Sequence, residues 1–256
     1  MLATLKYVLL TSLRDRLYVA LASMVVAALV VSRLLAESGL VEGRQLSLAY
    51  ASMSVRGLLV LGIVIFISFH VRRMYETREI ETILSRPISR SVFVLSYAAG
   101  FMLVAAGLVV PTGVLMAALL QADGVGAWLW SASLMLECVL VVALALFCSA
   151  TLGSAVASAL ACLGLYALAR LSTFFLDIAT SDPGHLTNIP GVGVAVHLLV
   201  TLISVLLPRL DLFGQTRWLI YGPDSQWGIG MLAAQTAVYL PVILAATILD
   251  LRRKRF

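Results

Sequence analysis

Residues 17–35 carry a single charged side chain, Arg33, and the pattern recurs along the chain. Residues 57–71, 93–120 and 228–249 carry none, and 128–150 carries only Glu137. A run of about 20 apolar residues covers the roughly 30 Å of membrane hydrocarbon at about 1.5 Å per residue. A soluble chain cannot repeat such runs and still present a polar surface. The whole sequence agrees, with 61% hydrophobic and 12% charged residues among 256 and a mean hydropathy of +1.03, far outside the range of soluble domains. The sequence predicts an all-α polytopic protein of the lipid bilayer, forming a single transmembrane domain over residues 1–256.

Taken in order, the first sixteen residues place Lys6, Arg14 and Arg16 around Leu2, Leu5, Val8, Leu9 and Leu13 at helical intervals. This predicts an amino-terminal interfacial helix and not a signal peptide, since no cleavage site follows. The first span is 17–35. Residues 36–54, with Glu37, Glu42, Arg44 and Gln45, are expected to form an external connection. The second span, 57–71, is short enough to borrow from 50–56. The third is 93–120, with Pro111 placed to kink it and Gly100, Gly107 and Gly113 suited to close helix contact. A turn at 121–126 leads to the interface anchors Trp128 and Trp130 and to the fourth span, 128–150. Gly153 and Ser154 make a short inner turn, and the fifth span runs to about Leu176. A polar turn at 177–193 holds two Pro-Gly steps. Residues 194–207 give only fourteen apolar positions, read as an external interfacial or re-entrant helix. The sixth span is 228–249.

Charge orients this arrangement. Of the eighteen Lys and Arg residues, three lie in the amino-terminal segment, five at Arg72, Arg73, Arg78, Arg86 and Arg90, and four at Arg252, Arg253, Lys254 and Arg255. The external segments hold Arg44, Arg209 and Arg217. Basic residues collect on the cytoplasmic side of membrane proteins, so both termini are expected there. Counting 194–207 as a span would put the terminal cluster outside. The formal charge of +5 is thereby explained by topology, and no nucleic-acid partner is implied. Cys138, Cys148 and Cys162 all lie in apolar runs, as small soft hydrophobes do.

The passage 72–97, RRMYETREIETILSRPISRSVFVLSY, is the densest charged stretch and sits between spans two and three. Between Glu76 and Ser85 there is no Gly or Pro, and Ile80, Ile83 and Leu84 fall on one helical stripe beside Glu76, Glu79 and Glu81. Pro87 ends that helix. The expected product is a short amphipathic cytoplasmic helix suited to docking on a soluble partner.

The run Glu81, Ile83, Leu84, Ser85, Pro87, Ile88, Ser89 and Arg90 in this position resembles the loop of type-2 ABC transporter permeases, in particular the permease group of the nitrous oxide reductase maturation transporter. Residues 207–213, with Tyr221 and Gly222, are similar to a segment before the last span of that group. The resemblance implies a coupling helix that contacts a separate ATPase. It also implies two ATPase copies carrying ATP and Mg, no cofactor on this chain, and a second permease copy in a homodimer, since one six-span chain supplies half of a path. It implies further a bacterial inner membrane and transport by export, and it leaves the external region open to an accessory protein.

Within the chain itself no GxxxxGK[ST] loop occurs, so ATP cannot be held that way here. The rival class, an intramembrane enzyme, would need a Ser–His pair or an HExxH ligand set. Neither is present: no acidic residue accompanies His70, His185 or His197 at ligand spacing, so no catalytic residue and no metal site is expected. A structural or channel subunit is the third class. Glu137 and Arg170 are left inside apolar runs, where a charge demands a partner. Glu137 lies roughly 13 Å and Arg170 roughly 9 Å from the outer surface at 1.5 Å per residue, on spans joined by a short turn. The expectation is an intramembrane ion pair.

Overall fold

A computed structural model describes residues 9–12, 15–37, 43–77, 89–172, 174, 207–222 and 228–253. The helices are α1 (Arg16–Ala36), α2 (Gly43–Glu76), α3 (Arg90–Leu120), α4 (Gly124–Thr151), α5 (Ala155–Arg170), α6 (Arg217–Tyr221) and α7 (Ile229–Arg253). A 3-10 turn, Leu210–Phe213, precedes α6. Among the described residues there is no strand. Helices α1 to α4 and α7 are long and apolar enough to cross a membrane, so the chain is a multi-pass membrane protein.

Polar side chains set the starts of the helices. Asp15 accepts from the Leu17 amide at 2.9 Å, Ser89 from Val92 at 3.3 Å, Asp123 from Gly126 at 2.8 Å and Ser154 from Ala157 at 3.5 Å. Each satisfies one of the amides a helix leaves unpaired at its amino end. Helix α3 stops at Gln121, whose φ of 50° is left-handed. Its carbonyl takes a 2.7 Å bond from Arg44 Nη2 at the start of α2.

Helix α4 is the axis of the bundle, packing against α2, α3, α5, α6 and α7. Of its apolar window 67% is buried, against 22% for α1 and α7 at the rim. The main core runs from Leu29 through Leu59, Ile67, Tyr97 and Phe101 to Trp130 and Leu134. Cys138, Cys148 and Cys162 are free and buried.

Two boundaries depart from expectation. Residues 43–54 are not a connection: they form the first three turns of α2, because Ser47, Leu48, Ala51, Ser52 and Val55 recur at helical spacing and are buried against neighbouring helices. Thirty-four residues make α2 about 51 Å long, longer than the hydrocarbon is thick. Gly43 permits the tight return from α1, since a Cβ there would sit 2.9 Å from the Ala36 carbonyl oxygen. The fifth helix is regular over only sixteen residues, about 24 Å, and stops at Arg170, with Ser172 and Phe174 also helical. Helix α3 continues through Pro111, where the Thr112 hydroxyl donates to the Leu108 carbonyl at 2.7 Å.

Several expected elements lie wholly or mostly outside the described residues: the amino-terminal interfacial helix, the coupling helix expected at 76–85 and the external helix expected at 194–207.

The contacts also sort the helix ends into two sides. Asp15, the 72–76 end of α2 and the turn at Gly153 and Ser154 border one cleft of about 600 Å³, and the start of α3 touches the end of α7. That side carries Arg16, Arg72, Arg73, Arg90, Arg252 and Arg253.

Candidate functional site

Ionisable groups inside an apolar bundle are costly and mark where function or folding depends on them. The structure brings Glu137 and Arg170 together, with Arg170 Nη1 at 3.3 Å from Glu137 Oε1. The short turn makes α4 and α5 neighbours: the Ser158 hydroxyl of α5 reaches the Cys148 carbonyl of α4 at 3.3 Å. Glu137 has no exposed surface, whereas the Arg170 side chain is 30% exposed.

The closer partner is a residue the sequence reading did not single out. Arg56 Nη1 donates to Glu137 Oε2 in a buried ion pair, and its side chain is 5% exposed. Tyr166 Oη donates to Oε1 at 2.8 Å. Both carboxylate oxygens are thus engaged, by α2 on one side and α5 on the other. The signal for Arg56 was its place inside the apolar stretch 46–71. Starting the span at Gly57 put it at an end, whereas a helix starting at Gly43 puts it about 20 Å along.

One carboxylate facing two guanidiniums leaves a formal excess of one positive charge, and the surroundings reduce its cost. The Arg56 guanidinium lies 5.5 Å from the Trp130 ring centroid, whose face attracts a cation. Arg170 Nη1 also donates to the Leu210 carbonyl at 2.7 Å. Trp130 Nε1 in turn donates to Ser52 Oγ at 3.0 Å, and Ser52 shares a 3.0 Å hydroxyl bond with Thr216.

These last bonds hold down the segment 207–222. Besides Arg170 on Leu210, the Ser133 hydroxyl donates to the Phe213 carbonyl at 3.2 Å and Ser172 Oγ to Asp211 Oδ1 at 2.9 Å. Leu210, Phe213 and Trp218 pack with Leu140, Ala169 and Leu232 in a second core. Gly126 and Gly214 allow the approach: a Cβ on Gly126 would collide with the Trp218 carbonyl oxygen and one on Gly214 with the Arg170 guanidinium. The arrangement is a clamp tying α2, α4, α5 and 207–222 together. Three donors from two helices hold the carboxylate, Arg56 on Oε2 and Tyr166 and Arg170 on Oε1.

Of the residues assigned to ATPase coupling, Glu79, Ile80, Glu81, Ile83, Leu84, Ser85, Pro87 and Ile88 lie outside the described residues. Glu76 pairs with Arg72 at 2.9 Å on the exposed end of α2, and Ser89 caps α3. Arg90 turns back to the bundle, donating to the carbonyls of Leu251 at 2.7 Å and Arg252 at 3.2 Å. His70 packs between the rings of Phe66 and Phe101, at 5.6 and 5.4 Å. His185 and His197 lie outside the described residues.

No family model matches the chain, and no curated protein matches it.

Proposed function

We propose that this chain is the membrane-spanning permease subunit of an ABC exporter, driven by a separate ATPase that docks on residues 76–90. The observation that carries the reading is the position of the Glu81 to Arg90 motif. It joins two membrane-crossing helices, α2 and α3, on the side where Arg72, Arg73, Arg90, Arg252 and Arg253 gather. A basic face is the cytoplasmic face, where an ATPase would be found.

In this reading α5 is the fifth of six crossings, and both termini are cytoplasmic in a bacterial inner membrane. Two copies face each other to enclose the path. The clamp at Glu137 makes α2, α4, α5 and 207–222 one rigid body, and closure of the ATPases moves that body as a unit between inward and outward arrangements. The cleft between α1, α2 and α5, with Asp15, His70, Arg72 and Ser154 on its wall, is the inner mouth. The test is ATP hydrolysis by the purified chain alone and after co-expression with its cognate ATPase. Activity is expected only in the second case, and hydrolysis by the single chain would overturn the assignment.

A further inference from the structure

The loop 78–88 is bracketed by α2 and α3, and a motion imposed on it passes to those two helices directly. Its far flank makes a third connection. Arg90 is the first residue of α3, and its guanidinium lies on the carbonyls of Leu251 and Arg252. These belong to the last four carbonyls of α7, which have no partner within their own helix and carry the negative end of its dipole. A guanidinium is matched to such a site by charge and by having several donors in one plane. Leu251 is 2% exposed, so the contact is partly sheltered from water. The start of α3 is therefore tied to the last turn of α7, a helix that packs along α4 and α3.

We infer that Arg90 is a positioning residue that fastens the start of α3 to the carboxyl end of α7, so that a displacement imposed on α3 is passed to α7 as well. The inference rests on the transporter reading for the source of that displacement, and on the two bonds from Arg90 to α7 for the link itself. It separates two roles within one motif. The contact with a partner is proposed for the residues before Ser89, and Arg90, five residues past Ser85, faces the membrane helices.

The experiment uses the full chain in lipid nanodiscs, purified with whatever ATPase accompanies it, as wild type, Arg90→Ala and Arg90→Lys. Hydrogen exchange is followed along α3 and α7. Without nucleotide, amides 250–253 should exchange about tenfold faster in Arg90→Ala, the size expected for losing a charge-assisted bond at a helix end, with Arg90→Lys in between. With a non-hydrolysable ATP analogue, wild type should show altered exchange over the last two turns of α7. In Arg90→Ala, compared at equal amounts of bound ATPase, the response in α3 should persist and the response in α7 should be lost. Unchanged exchange at 250–253 in Arg90→Ala, or an α7 response that survives in it, would overturn the relay. Loss of the ATPase with exchange at 250–253 unaltered would instead make Arg90 a docking residue and also overturn it. If no ATPase accompanies the wild type, the transporter reading falls and takes the relay with it, while the first comparison still reads the link.

Discussion

Glu137 is the residue on which the most depends, because among the described residues its carboxylate is shared by two guanidiniums. Breaking a buried pair by removing one partner costs about 3–5 kcal/mol, whereas removing both can be nearly neutral. Glu137→Gln strands Arg56 and Arg170 and should cause the largest fall in the melting temperature of the solubilised protein. Arg56→Gln should follow closely. Arg170→Gln should cost less, about 1–3 kcal/mol, since its side chain is 30% exposed. The pairing is sharper in the doubles: Arg56→Gln with Glu137→Gln should recover more folded protein than Glu137→Gln with Arg170→Gln, which leaves Arg56 buried and alone. Equal recovery would mean that Arg56 is not the principal partner. At this scale the pair Glu137 and Arg170 was legible in the sequence, because a charge inside an apolar run is conspicuous and a short turn fixes which helices are neighbours. Arg56 was not, because its meaning depends on where α2 begins.

Elements whose form depends on local pattern were read well, and those that depend on remote contacts were not. Helices α3, α4 and α7 end within a few residues of where their apolar runs end. The extra turns of α2 take their stability from the serines and small residues that pack against neighbours, which resemble a polar connection when read along the chain. The segment 207–222 is the clearest case. Its 3-10 turn and the five residues of α6 hold their place through Arg170, Ser133, Ser172 and Ser52, all far away in sequence. Gly126 is the narrow point of that contact. Gly126→Val should push the segment off α4 at a cost of about 1–3 kcal/mol for overpacking, exposing Trp218, now 4% accessible. A red-shifted tryptophan emission and faster proteolysis within 207–222, with helix content retained, are the expected outcome. Wild-type emission and cleavage would show that the segment is not seated there.

For the molecule as a whole, hydropathy alone gave the class and the bilayer, because six apolar runs admit no other solvent. The number of crossings needed more than hydropathy, since five helices reach the length of a crossing and α5, which carries Tyr166 and Arg170, is regular over only sixteen residues. Side-to-side assignment follows from the basic residues collected at the ends of α2 and α7 and the starts of α1 and α3. A carboxyl-terminal green fluorescent protein fusion should accordingly be bright and an alkaline phosphatase fusion inactive, and the reverse pattern would invert the topology. The central claim is that an ATPase docks on the loop between α2 and α3. It is tested most directly by affinity purification of the tagged full chain from its own membranes, beside Leu84→Asp and Glu81→Lys, with the co-purifying polypeptides identified and weighed against the bait. The account predicts a P-loop ATPase at about one copy per chain with wild type, and at least tenfold less with either variant while membrane insertion is unchanged. Wild type that brings down no ATPase, or both variants retaining it in full, would contradict the account.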